Sequence, residues 1–150
     1  MNRRGTNMSE KKIVFIDKKE DIEKVYPLFS QLYSHLTEEN YYSLYEDMIK
    51  RGYRMLQLEV DGQVVAVSGI IKLTNFCNGH YMYVYDLVTL DTERSKGHGE
   101  YLLSYIHEYA KEQGCAYVEL ESALHRTAAH RFYEEKMDYD KFCYSFRYTI

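Results

Sequence analysis

Between residues 94 and 103 the chain reads RSKGHGEYLL. Arg94 and Lys96 bring full positive charge, Gly97 and Gly99 bring backbone without a Cβ, and an amphipathic run begins at once. A helix N-terminus presents unpaired amide hydrogens and about half a positive charge. Glycines ahead of it let the backbone close on a ligand, and such a site binds phosphate. The chemistry read from this stretch is therefore anion capture. Other phosphate loops fit worse, because there is no G-x-x-x-x-G-K-[ST] run and no third glycine for a dinucleotide fingerprint. A bare Gly-x-Gly turn is the plainer alternative, but the position between a long strand and a helix favours the cradle.

Other residues could move protons. By strand alternation Asp86 shares a face with Met82, Val84, Val88 and Leu90, where an unpaired carboxylate is costly. It reads either as a pH-tuned base or as a hydrogen-bonded structural acid. Glu119 and Glu121 alternate onto one face of a later strand. His125 precedes a helix and titrates near neutrality. The 17 tyrosines, with no tryptophan, supply half-buried aromatic area.

The elements that must position these groups follow from periodicity. KIVFI (12–16) is a β-branched strand. Asp21 opens a helical spacing of Ile22, Val25, Phe29, Leu32 and Leu36, which Pro27 must kink unless it falls in the first turns. Thr37 caps a second helix that Lys50-Arg51-Gly52 closes, with Tyr41, Tyr45 and Met48 on its apolar side. A hairpin turns at Asp61-Gly62, and a further turn at 77–79 leads into a long strand ending near Leu90. A helix from about Gly99 to Gln113 presents Leu102, Leu103, Ile106, Tyr109 and Ala110, and Gly114 ends it. CAYVELE is a strand, HRTAAHRFYEEK a helix burying Ala128, Ala129, Phe132 and Tyr133, and KFCYSFRYTI a last strand. The order β-α-α-β-β-β-α-β-α-β requires antiparallel pairing through the hairpins and a parallel pair across the later crossover.

Bulk properties narrow the function classes. A chain of 150 residues is one domain by length, here residues 12–150 after a flexible tail at 1–11. A formal net charge of −4 argues against a nucleic-acid surface spread over the domain. No apolar stretch nears the roughly 18 residues that cross a bilayer, so no membrane partner is expected. The first residues lack the apolar core of a secretory signal, and Met8 is an alternative natural start. Cys77, Cys115 and Cys143 are odd in number and lack metal-ligand spacing. They point to a reducing cytoplasm and to no metal.

Arg94-Ser95-Lys96-Gly97-His98-Gly99 resembles the R/Q-x-x-G-x-G/A motif of the GNAT acyltransferase superfamily, and DLVTLDTER before it resembles the family's strand leading into that loop. AHRFYEEKMDY (129–139) resembles the second signature, in which a helix carries A-x-x-F-Y-E before a Gly-Phe pair. The likeness runs from about residue 12 to 149. It implies an α/β (α+β) GNAT fold: a mixed, mostly antiparallel central sheet with splayed fourth and fifth strands, flanked by about four helices, with acetyl-CoA in the opening. It implies that the pantetheine arm pairs with the backbone of Leu87, Val88 and Thr89. The pyrophosphate would rest on amides of Ser95, Lys96, Gly97, His98, Gly99 and Glu100, with Arg94 beside them.

The implied activity is N-acetyl transfer from acetyl-CoA to a primary amine, by direct attack in a ternary complex. An alkylammonium must first lose a proton, which at pH 7 costs about three decades, or roughly 4 kcal/mol. The leaving thiolate gains from receiving one. The resemblance assigns that acid to Tyr133, which also reads as a core tyrosine beside Phe132. Asp86, Glu119 and Glu121 are the candidate bases. Tyr85 stands where many members carry a glutamate, Asp138 where glycine is usual, and His125-Arg126-Thr127 where the family has an asparagine. The family's acceptor pocket maps onto Tyr33, His35, Tyr41, Tyr42 and Tyr144, a rim suited to a polyamine, an aminoglycoside, or a lysine or N-terminal amine. Homodimers are common in the family. A CoA-binding regulatory module without catalysis is a second reading, and a nucleotide-binding interaction protein a third.

Overall fold

The computed structural model describes residues 9–150. Most of the expected tail, residues 1–8, lies outside the described residues, and Lys11 already belongs to the first strand. The elements are β1 (Lys11–Ile16), α1 (Lys19–Leu32), α2 (Glu38–Lys50), β2 (Arg54–Val60), β3 (Gln63–Asn75), β4 (Gly79–Thr89), α3 (His98–Glu112), β5 (Tyr117–Leu120) and α4 (Thr127–Arg131). The strands form one sheet in the order β1-β2-β3-β4-β5, antiparallel except for the parallel β4–β5 pair. That is the mixed sheet expected. Asp61 and Gly62 both take positive φ, 50° and 82°, as a type I′ turn requires. The Thr37 side chain accepts from the Asn40 amide at 3.2 Å, capping α2 as its sequence indicated. Pro27 lies inside α1, not in its first turns.

Two apolar layers sandwich the sheet. On one face Ile22, Val25, Leu28 and Phe29 of α1 and Tyr41 of α2 pack against Met55, Val67 and Val88. On the other, Leu102, Leu103, Ile106 and Ala110 of α3 pack against Leu56, Leu58, Met82 and Val84. Each of those buried Leu and Ile side chains contributes about 1.5–3 kcal/mol by leaving water, which holds α3 flat on the sheet.

Three expectations need correction. The register of β3 and β4 shifts between Gly69 and Ile70, so that Asp86 faces Gly69 and Val84 faces Ile70, leaving Tyr85 as the extra residue of a β-bulge. The bulge turns the strand over: Met82 and Val84 face α3, whereas Asp86 and Val88 face α1 and α2. Asp86 therefore does not share a face with Met82 and Val84. Second, α4 stops after Arg131 and continues as a π-helical turn over Phe132–Lys136; Ala128 is exposed and Ala129 only half-buried. Third, residues 141–150 form no strand and are exposed throughout.

Candidate functional site

The bulge aims Asp86 into a cavity of about 410 Å³ between α1, α2 and the sheet, lined among others by Tyr33, His35, Tyr41, Tyr45, Tyr53 and Tyr85. Asp86 is 7% exposed. Tyr33 Oη donates to its Oδ1 and Tyr53 Oη to its Oδ2, both at 2.6 Å. Burial raises its pKa above the ordinary carboxylate value, and the two phenol hydrogen bonds pull against that rise. The phenols respond in turn: burial and then the neighbouring Asp86 charge raise both Tyr33 and Tyr53. Donating their protons to Asp86 leaves the phenol oxygens as acceptors toward the cavity. Gly69 makes room for this arrangement, since a Cβ there would run into Tyr53 Oη and Asp86 Oδ2. The Ser68 hydroxyl donates to the Asp86 carbonyl at 2.6 Å and fixes the bulged backbone.

Beyond the bulge, β4 has a free edge. Its pairing with β5 runs only from Tyr81–Tyr117 to Val84–Leu120, so Leu87, Val88 and Thr89 are paired to β3 alone. This is the splay that the sequence led one to expect. The loop that follows passes through positive φ at Ser95 (64°) and Gly97 (81°) before α3 starts at His98. A Cβ at Gly99 would meet only Phe132 and Thr89, at 3.7 and 3.8 Å, and at Gly97 nothing within 4 Å. Arg94 pairs with Asp91 and Lys96 with Glu93, each at 2.8 Å and at the surface. His98 is buried, with Nε2 3.6 Å from Glu93 and Nδ1 without a hydrogen-bond partner. The loop thus has the open backbone and cations that a diphosphate needs, and these residues fit the phosphate end of CoA. Glu100 lies in the first turn of α3.

Tyr133 sits in the π-helical turn, half-buried, its ring 5.3 Å from Phe132 and 5.8 Å from Tyr139. Burial raises its pKa and the Arg126 charge lowers it. The Arg126 charge also lowers the Tyr33 pKa, and Tyr133 raises it.

The remaining candidates lie elsewhere. Glu119 accepts from Asn78 Nδ2 at 2.8 Å, which turns it toward the β3–β4 hairpin, and the Glu121 charge helps burial raise the Tyr83 pKa. Neither lines the cavity, and Asp86 is its one carboxylate among the described residues. Tyr42 lies on α2 bonded to Glu38, and His125 is exposed. Tyr144 is 85% exposed and does not line this cavity. Sequence reasoning missed Tyr53 and Gly69. The only signal was a glycine inside a strand, which marks a bulge or a close approach.

Comparison with known proteins finds relatives of the same fold. Residues 22–139 match the model of the acetyltransferase (GNAT) family. An "Uncharacterized N-acetyltransferase YhdJ" of Bacillus subtilis (strain 168) is 34% identical over 133 residues, 88% of this chain and 94% of that protein. Among solved structures, an aminoglycoside N-acetyltransferase AAC(6')-Iy in complex with CoA superposes with a TM-score of 0.82 at 13% identity over 97% of both chains. A putative acetyl transferase from Pyrococcus furiosus gives 0.76 at 20% identity over 94% of this chain and all of that one.

Proposed function

The chain belongs to the GNAT family of acetyltransferases, and on that premise we propose that it transfers acetyl from acetyl-CoA to a primary amine carried on an apolar or aromatic body. Direct attack takes place in a ternary complex, in the cytoplasm, with a homodimer as the working form. The observation that carries the acceptor class is the cavity: a single buried carboxylate bound by two phenols, among aromatic and aliphatic walls. A polyamine or aminoglycoside brings several charges, each needing its own carboxylate once out of water, and Asp86 is the one such group lining the cavity. A monoamine needs one.

Acetyl-CoA supplies the acetyl group as a thioester; structures similar to this chain hold CoA and the bisubstrate analogue CoA-S-monomethyl-acetylneamine. The free edge at Leu87, Val88 and Thr89 orients the pantetheine arm, and an amide near Val88 polarises the thioester carbonyl. Amides from Ser95 to Glu100 hold the diphosphate, with Arg94 and Lys96 turning from their surface carboxylates toward it. The incoming ammonium gives its proton to a Tyr33 or Tyr53 oxygen, which passes its own along the 2.6 Å bond to Asp86. Tyr133 returns a proton to the departing thiolate. Glu119 and Glu121, beside Tyr83, drain protons no nearer than the rim.

Thiol release with acetyl-CoA and a panel of amines tests the reading. Arylalkyl monoamines such as 2-phenylethylamine are expected to give the highest kcat/KM, above spermidine, kanamycin and a lysyl peptide. Preference for spermidine or kanamycin would remove the acceptor class. CoA binding without thiol release for any amine would make the chain a regulatory binding module. Tyr133→Phe is expected to lower kcat about 100-fold while calorimetry shows unchanged CoA affinity; unchanged kcat would take Tyr133 out of the mechanism.

A further inference from the structure

α4 and the π-helical turn after it carry Tyr133 on the outside of the core. Phe132, Tyr133, Met137 and Tyr139 pack against that core but stay only partly buried. A π-helical turn is rare and recurs at functional sites. Here it is closed by the Met137 amide, which donates to the Phe132 carbonyl at 3.2 Å. Apolar burial is non-directional. It sets how deep such a turn sits, but not the angle at which one phenol points.

A directional contact reaches the turn from α3. His107 Nε2 and Tyr139 Oη lie 2.7 Å apart, with the two rings 5.5 Å apart and tilted by 35°. Burial holds His107 below the ordinary imidazole value, against the pull of the Glu108 charge, while burial and then Tyr133 raise Tyr139. At pH 7 the imidazole is therefore neutral and the phenol keeps its proton. Tyr139 donates to Nε2, and the ring proton sits on Nδ1. Tyr139 hands this constraint to Tyr133 in two ways. Its amide donates to the Tyr133 carbonyl at 2.9 Å, and its ring packs 5.8 Å from the Tyr133 ring. The positive φ of Asp138, 58°, turns the chain back so that both contacts can form.

We propose that His107 is a positioning residue for Tyr133, fixing through Tyr139 where that phenol stands relative to α3. The inference rests on Tyr133 as the acid that protonates the departing thiolate. Helix α3 is the shared reference. Its first turn opens the diphosphate cradle, and His107 lies about 12 Å along the axis from Gly99. A Cβ at Gly99 would stand 3.7 Å from Phe132, so the turn also touches the start of α3. The cradle for the phosphate end of the coenzyme and the acid for its sulfur end are thereby set from one helix. Leu102, Leu103, Ile106 and Ala110, buried against the sheet, keep that helix from shifting. Proton transfer needs Tyr133 within hydrogen-bond reach of the sulfur, and a misplacement of about 1 Å can cost about 100-fold in rate.

Thiol release with acetyl-CoA and the best amine of the panel tests this in three variants of the full chain. His107→Leu and Tyr139→Phe are each expected to lower kcat about 10-fold or more, with CoA affinity by calorimetry unchanged. His107→Gln, which keeps a side-chain acceptor, should recover most of the loss. Tyr139→Phe retains the ring packing and tests the same bond where His107→Leu costs folding. Placed in a Tyr133→Phe chain, both substitutions should leave kcat where Tyr133→Phe puts it, because the group they position is gone. Parental kcat in Tyr139→Phe, or an equal further loss in the Tyr133→Phe chain, would overturn the proposal and leave the acid in place. Parental kcat in Tyr133→Phe itself would remove the acid, and this inference with it. Nitrogen-15 NMR of the imidazoles reads the bond without turnover: the His107 proton should reside on Nδ1 in the parent and divide between both nitrogens in Tyr139→Phe. A ring indifferent to Tyr139 would overturn the proposal.

Discussion

A carboxylate with a phenol on each oxygen is held firmly but kept from water, and at Asp86 the burial prevails, so its folded pKa lies above the ordinary 3.8. The folded chain then holds this proton more tightly than the unfolded chain. Ionising Asp86 costs stability as pH rises from about 3.8 through the raised value, and the cost is constant above it. Activity has the opposite dependence, because a base must be ionised to accept: kcat/KM is expected to fall as pH drops through the raised pKa. Asp86→Asn should abolish that acidic limb and lower kcat/KM about 100-fold, with melting temperature and far-UV circular dichroism reporting an intact fold. A variant with the wild-type pH profile would remove Asp86 from the proton path. At this scale the loop from Arg94 to Gly99 was legible, because charge and missing side chains are properties of the residues themselves. Asp86 was legible as a costly acid and Tyr33 as a rim residue. Tyr53 was not, since it meets Asp86 from 33 residues away and nothing in local spacing records that meeting.

Elements carry the site through one irregularity, the bulge at Tyr85. Without it Asp86 would stand with Met82 and Val84 on the face toward α3, and the cavity would have no carboxylate. The bulge leaves a single trace in the sequence, Gly69 on the facing strand, whose missing Cβ is the space that Tyr53 Oη and Asp86 occupy. Gly69→Ala overfills that space, so urea titration is expected to show a loss of about 1–3 kcal/mol, together with a larger fall in kcat than the stability loss explains. A variant as stable and active as the parent would mean that the pair shifts freely. Helix and strand periods placed nearly every element, because those periods report which face is buried. They could not show the bulge, where Tyr and Asp follow one another without a break in hydropathy. Nor could they end α4 after Arg131. Asp138 is instructive: it stands where the family has glycine, and its φ of 58° shows that the chain still makes the left-handed turn, which Asp tolerates better than most residues.

For the whole molecule, the alternation in residues 141–150 predicted a last strand, whereas the structure pairs this segment with no described strand and leaves it exposed. A period encodes the need for a partner strand, not the chain that supplies it. If the homodimer is the working form, association adds to stability, and mass action then ties stability to concentration. The melting temperature should rise steadily as protein is concentrated, measured by calorimetry over a wide dilution series. With Phe142→Asp and Phe146→Asp together, residues 141–150 lose their exposed apolar face, and the melting temperature should become lower and independent of concentration if that face makes the dimer. A parent chain whose melting temperature ignores concentration would show that its core is closed by its own residues.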